Sequence, residues 1–160
     1  MKIGVVSDTH SRPLPKQLLD EFKGVDMIIH AGDFCAFEDA QKFLSIKNLK
    51  AVFGNMDDYK IRQLFPETQI IDVEGVKIGV FHGEGSPKTV LNSVKDKFKG
   101  KGVDILIFGH SHVPLNEKQN GILYFNPGSP NDLITAPYCS YGIIEIDNKN
   151  IKANIIKIKD

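Results

Sequence analysis

Lys2-Ile3-Gly4-Val5-Val6-Ser7-Asp8-Thr9-His10 is a short apolar run that ends abruptly in a polar loop, as a buried β-strand does. The pattern recurs downstream. Pro13 and Pro15 mark a loop, after which Leu14, Leu18, Leu19 and Phe22 fall on one helical face that Gly24 stops. Residues 25–29 read as a second strand, delivering His30-Ala31-Gly32-Asp33. Residues 36–46 read as a helix with Ala36, Ala40, Phe43 and Leu44 on one side. Residues 49–53 form a third strand that runs into Gly54-Asn55-Met56-Asp57. Strand–helix alternation of this kind is the signature of right-handed βαβ units and a largely parallel sheet.

The second half has a different rhythm. Residues 68–73 and 76–81 flank Glu74-Gly75 and predict an antiparallel hairpin. Val90, Leu91, Val94 and Phe98 give residues 87–98 a helical apolar face. Residues 104–108 are a strand that delivers Gly109-His110-Ser111-His112. Two meander strands follow over 113–117 and 122–125, around Asn120-Gly121, and a last pair turns at Asp147-Asn148. There is no internal repeat, low-complexity run or linker, so residues 1–160 are expected to form a single α/β domain of mixed sheets covered by helices.

Composition narrows the function classes. Twenty basic and twenty acidic side chains cancel, so nothing favours a polyanion-binding surface. Arg12 and Arg62 are the only arginines, and arginine is the usual bidentate reader of phosphates and bases. A nucleic-acid partner is therefore not expected. Cys35 and Cys139 lack zinc-ligand or redox spacing and read as buried free thiols. The chain enters a strand at once, without a signal-peptide pattern, and no apolar stretch approaches a membrane span. A cytoplasmic protein with no membrane association is the expectation.

Of five histidines, four stand in motifs that end apolar runs. Asp8, His10, Asp33, Asn55, His82, His110 and His112 together read as one dinuclear metal site. Successive motifs stand 22 to 28 residues apart, the length of one strand and one return connection. Ligands of open α/β sheets gather where strands end at their carboxyl side, so the spacing puts all five motifs on one rim. Carboxylate, imidazole and amide are donors for divalent first-row metals. Two such ions roughly 3.5–4 Å apart need a bridge, and a carboxylate has two oxygens to offer. Asp33 is assigned that bridge. Asp8, His10 and His112 then complete one ion's shell, and Asn55, His82 and His110 the other's. A bridging water, acidified to hydroxide, would attack phosphorus in line.

With those residues assembled, the chain resembles the calcineurin-like metallophosphoesterases, in particular their small single-domain phosphodiesterase branch. Asn126-Pro127-Gly128-Ser129 also resembles a turn common in that branch. The resemblance implies a four-layer αββα sandwich of two mixed β-sheets flanked by helices. It implies two divalent ions (manganese first, with nickel, zinc or iron as alternatives) and hydrolysis of a small phosphoester. It also implies the ligand roles just given, with Asp33, Asn55 and His110 as the catalytic residues of the set. A phosphomonoesterase or nucleotidase would use the same site. A non-catalytic scaffold, like the retromer subunit of this fold, is the alternative of another class. Small relatives form homo-oligomers, and one is expected here on the same ground.

Many members of the family carry histidine directly after the Gly-Asn. Here that residue is Met56, which can neither donate a proton nor carry charge. Arg12, just after His10, is a candidate to hold a substrate phosphate, as is Asn55. His30 is expected to orient Asp33 or the backbone without binding metal. Asp57 and Asp58 are expected to cap the helix that starts at Tyr59.

Overall fold

The computed structural model describes residues 1–159. In chain order the elements are β1 (Lys2–Val6), α1 (Lys16–Lys23), β2 (Met27–His30), α2 (Phe37–Leu44), β3 (Leu49–Ala51), α3 (Tyr59–Leu64), β4 (Thr68–Val73), β5 (Val76–Phe81), α4 (Val90–Phe98), β6 (Ile105–Ile107), β7 (Leu115–Gln119), β8 (Ile122–Asn126), β9 (Ser140–Asp147) and β10 (Asn150–Lys157). They build two five-stranded sheets, in the orders β10-β9-β1-β2-β3 and β4-β5-β6-β8-β7. Within the first, β1, β2 and β3 run parallel, while β9 joins β1 antiparallel. Within the second, β5, β6 and β8 run parallel between antiparallel edge strands. Both sheets are mixed, as the resemblance implied.

Side-chain alternation assigns the layers. Ile3 and Val5 of β1 point inward to meet Ile78 and Val80 of β5 and Ile105 and Ile107 of β6, forming the layer between the sheets. On the outer face of the first sheet, Val6 and Ile28 pack against Leu18 and Phe22 of α1 and Phe43 of α2. On the outer face of the second, Phe81 and Leu106 pack against Val90, Val94 and Phe98 of α4. The result is the αββα sandwich. Gly4 explains how α1 lies so close: a Cβ there would stand 2.8 Å from the Phe22 ring.

Three hairpins close on two-residue turns with positive φ at both positions: Glu74 (53°) and Gly75 (79°), Asn120 (49°) and Gly121 (82°), Asn148 (48°) and Lys149 (67°). That is the turn whose twist matches paired strands. The last turn falls one residue later than the sequence suggested. Helix ends also differ: α2 covers 37–44 where 36–46 was expected, and α4 starts at Val90 where residue 87 was expected. Neither helix has a side-chain cap at its start. Ser86 and Thr89 instead hydrogen-bond to one another in a separate turn. Among the described residues no helix is long and apolar enough to cross a membrane. Cys35 and Cys139 are half-buried where full burial was expected.

Candidate metal centre

The carboxyl ends of β1, β2 and β3 bring Asp8, Asp33 and Asn55 to one rim, and those of β5 and β6 bring His82, His110 and His112 to the same rim. Asp8, Asp33 and His82 are buried at the floor, while Asn55 is exposed at the mouth. The loops carrying these groups are wound tightly. Asp8, His10, Asp33, His110 and His112 all have left-handed backbone, with φ of 57°, 46°, 60°, 67° and 57°. Such a conformation costs a non-glycine residue about 1 kcal/mol or more. Hydrogen bonds between loops hold it: the Asp8 N–H donates to Gly32 O at 3.0 Å and the His10 N–H to Asp33 O at 3.0 Å.

Each imidazole has its outward nitrogen engaged. His82 Nδ1 donates to the Ala31 carbonyl at 2.8 Å, from one sheet to the other. His110 Nε2 donates to the Gly85 carbonyl at 2.7 Å. His112 Nδ1 lies 2.5 Å from Asp132 Oδ2, and His10 Nδ1 lies 3.4 Å from Cys35 Sγ. An engaged outer nitrogen fixes the tautomer and turns the other lone pair inward. The inward atoms converge: His10 Nε2 and His112 Nε2 are 3.1 Å apart. His82 Nε2 lies 3.2 Å from Asp33 Oδ2 and 3.1 Å from Asn55 Oδ1, which is in turn 3.0 Å from His110 Nδ1.

These are acceptors facing acceptors. The buried Oδ1 of Asp8 has no hydrogen-bond partner. It faces Nε2 of His112, His10 and His82 at 3.3, 3.8 and 3.9 Å. Lone pairs gathered so closely need a proton or a cation among them. Protons can serve. Burial works against charge on His82, but Asp33 and Asp8 outweigh it and raise its pKa to about 9. Burial likewise opposes, and Asp8 and Asp132 outweigh, at His112, also raised to about 9. At His10 burial prevails and the pKa falls. Burial tends to raise the Asp33 pKa, yet His82 and the Met56 N–H hold it below its ordinary value.

A divalent cation satisfies the same lone pairs with no proton, and the donor types are those that hold one. The residues present fit a metal. Asp8, His10 and His112 form one cluster within reach of a single ion, and Asp8, Asp33 and His82 another. Asp8 belongs to both, so it is as central as Asp33. Asp33 Oδ1 accepts from the Met56 N–H at 2.8 Å, which leaves Oδ2 toward the imidazoles.

A sequence profile of the calcineurin-like phosphoesterase superfamily domain matches residues 1–149. The chain belongs to that superfamily. The chain is 37% identical over 168 residues to a probable metallophosphoesterase of Methanocaldococcus jannaschii, across 100% of this chain and 83% of that one. It is 25% identical over 172 residues to a phosphodiesterase of the same archaeon, across 98% and 100% of the two chains. Among solved structures, zinc-complexed Vps29 of Entamoeba histolytica matches with a TM-score of 0.79 at 24% identity, over 98% of this chain and 99% of that one. That likeness shows a common fold.

The remaining predicted residues find varied places. His30 is buried and reaches no ligand. It accepts from the Gly32 N–H at 3.1 Å, lies 3.1 Å from Thr9 Oγ1 and stacks on Phe34, and burial drives its pKa well down. Asn126 donates to the Gly109 carbonyl at 2.9 Å and Ser129 to the Asp8 carbonyl at 2.8 Å, so the Asn-Pro-Gly-Ser turn braces two ligand loops. Asp58 caps α3, accepting from the Ile61 N–H at 2.9 Å. Asp57 does not cap, contrary to expectation. Its buried carboxylate accepts the N–H groups of Asp33, Cys35 and Gly54 at 2.9, 2.7 and 2.7 Å and so joins the Asp33 and Asn55 loops.

Sequence reasoning missed Asp132, the partner of His112. It also missed Arg62, whose guanidinium donates to the carbonyls of Asp57, Gly54 and Asn55 at 2.9, 3.1 and 3.0 Å. Arg12 stands beside His10 and His112 with Nη1 3.3 Å from the Asn131 carbonyl and 3.7 Å from Asp132 Oδ1.

Proposed function

We propose that this metallophosphoesterase is a dinuclear metal-dependent phosphodiesterase acting on a small phosphoester. The observation that carries the metal dependence is the buried, partnerless Oδ1 of Asp8 facing three imidazole nitrogens. Asp8, His10, Asp33 and His112 would hold one ion, and Asp33, Asn55, His82 and His110 the second. Asp33 Oδ2 suits the shared position, lying 3.2 Å from His82 Nε2 and 3.8 Å from His10 Nε2. Bound there, the ions would offset charge on the phosphoryl oxygens and acidify water as the nucleophile for in-line attack.

The chain's own residues supply the rest. Asn55 is neutral and exposed, so it contacts a phosphoryl oxygen without adding negative charge at the mouth. Arg12 offers a guanidinium to the same anion. Met56 provides no proton for the departing alcohol, which favours esters whose alcohol leaves as a stable anion. The phosphodiesterase name of the archaeal relative supports the diester preference.

Hydrolysis of bis-p-nitrophenyl phosphate beside p-nitrophenyl phosphate, by protein stripped and reloaded with manganese, tests this reading. Diester turnover that disappears with chelator and in Asp33→Asn is expected. Faster monoester turnover would make the protein a phosphatase. No turnover with manganese, nickel or zinc would leave a binding scaffold.

A further inference from the structure

On the His10–His112 side of the centre, a cavity of ≈ 400 Å³ opens between the loop at Met56 and the loop at Asp132–Thr135. Its polar groups are already occupied. His10 Nδ1 lies against the Cys35 thiol and His112 Nδ1 against Asp132. Asp132 also takes the Thr135 hydroxyl and the N–H groups of Ile134 and Thr135. What the wall still offers is apolar: Met56 is 58% exposed and Ile134 85% exposed, two aliphatic side chains left in water beside the centre. Because Asp132 accepts from the Ile134 N–H, the residue that steadies His112 also anchors the backbone that carries Ile134. Arg12 supplies a guanidinium to the wall.

The opposite side of the centre differs. There a smaller cavity of ≈ 230 Å³ sets the rings of Phe53 and Phe81 beside Arg62 and the carboxylates of Glu67 and Glu84. Its aromatic rings share the wall with charged side chains, whereas the aliphatic groups of the first cavity stand exposed.

We infer that the cavity between Met56 and Ile134 binds an apolar, aromatic-sized ester arm, so that the substrates are phosphodiesters bearing at least one hydrophobic alcohol. The inference rests on the proposed phosphodiesterase reading. The anion sits toward Arg12 and the centre, and the arm covers Met56 and Ile134. A hydroxyl-rich arm would find few free partners on this wall and would lose hydrogen bonds to water. An arm of phenyl size removes enough apolar surface to strengthen binding about tenfold.

Phosphinate anions share a diester's single charge and tetrahedral phosphorus with two free oxygens, but their arms join phosphorus through carbon, so there is no ester bond to break. The test is calorimetric titration of the manganese-loaded protein with diphenylphosphinate, dimethylphosphinate and bis(hydroxymethyl)phosphinate. The diphenyl compound is expected to bind about tenfold tighter than the other two. Met56→Ser and Ile134→Ser, both at exposed positions, are each expected to shrink that ratio about threefold, and the double variant to bring it near one. Equal binding of all three, tightest binding of the hydroxymethyl compound, an unchanged ratio in the double variant, or no binding at all would overturn the inference. Loss of the phosphodiesterase reading shows separately, as absence of manganese-dependent hydrolysis of bis-p-nitrophenyl phosphate.

Discussion

Asp132 lies 2.5 Å from the outward nitrogen of His112 while its other oxygen takes two backbone N–H groups. Its carboxyl is held below the usual carboxylate range: burial opposes this, but His112 and Thr135 outweigh it. Asp132→Asn keeps the size and removes the charge, so the imidazole loses its orienting anion. Manganese affinity is expected to fall about tenfold or more, read by competition against a chelating dye. Unchanged affinity would show that packing alone holds His112.

Protons and metal compete for the same nitrogens. His82 and His112 have pKa values raised to about 9 in the metal-free protein, so at neutral pH both carry a proton that an incoming ion must displace. Affinity is therefore expected to climb as pH rises from 6 toward 9 and to level off above it. Calorimetry in buffers of different protonation enthalpy would count the protons released. Affinity flat over that range would mean the two imidazoles are neutral before metal arrives.

The candidate ligand residues stood out in the sequence because each is a rare donor type at the end of an apolar run. Their supports did not. Asp132 follows no strand, Asp57 sits where a helix cap is equally natural, and Arg62 works through backbone carbonyls that any sequence would supply. Cys35 looked like an ordinary thiol because its neighbour, His10, is 25 residues distant.

Among the elements, strands were located by short apolar runs, though β2 and β7 each start two residues later than expected, and hairpin turns by residues that tolerate positive φ. Helix ends were read less well: of the four helices only α3 has a side-chain cap to announce its start. Two glycines test how elements meet. A Cβ at Gly54, just past β3, would fall 2.2 Å from Asp33 Oδ1 and 2.7 Å from the Asp33 nitrogen. Gly54→Ala must push the Asp33 loop aside, so it is expected to lower stability by about 2 kcal/mol and to abolish tight manganese binding. Gly4→Ala, whose Cβ would stand 2.8 Å from Phe22, is its counterpart away from the centre. It is expected to cost about 1–3 kcal/mol in urea denaturation while manganese still binds. Loss of metal in both, or in neither, would break the distinction.

At the scale of the whole molecule, the centre draws donors from both sheets: Asp8, Asp33 and Asn55 from one, His82, His110 and His112 from the other. The His82–Ala31 hydrogen bond crosses the same gap. Metal should therefore clamp the sandwich as well as equip it. At a free manganese concentration a hundredfold above Kd, the gain is about 2.7 kcal/mol, or roughly 5–10 °C in Tm for a domain of this size. Differential scanning calorimetry with manganese and with chelator checks it. Identical transitions would place the ions outside the folded state's cohesion.

The layered architecture was legible from the alternation of strands and helices, and its four-layer form from the family resemblance. Neither told where β9 would lie. It pairs with β1, so the strand carrying Asp8 has one neighbour close behind it in the chain and another from residues 140–147. During synthesis β1 must wait, one edge bare, until that distant segment emerges from the ribosome. Asp8, the first of the candidate ligands, is thus made long before the strand that leads to it can be finished.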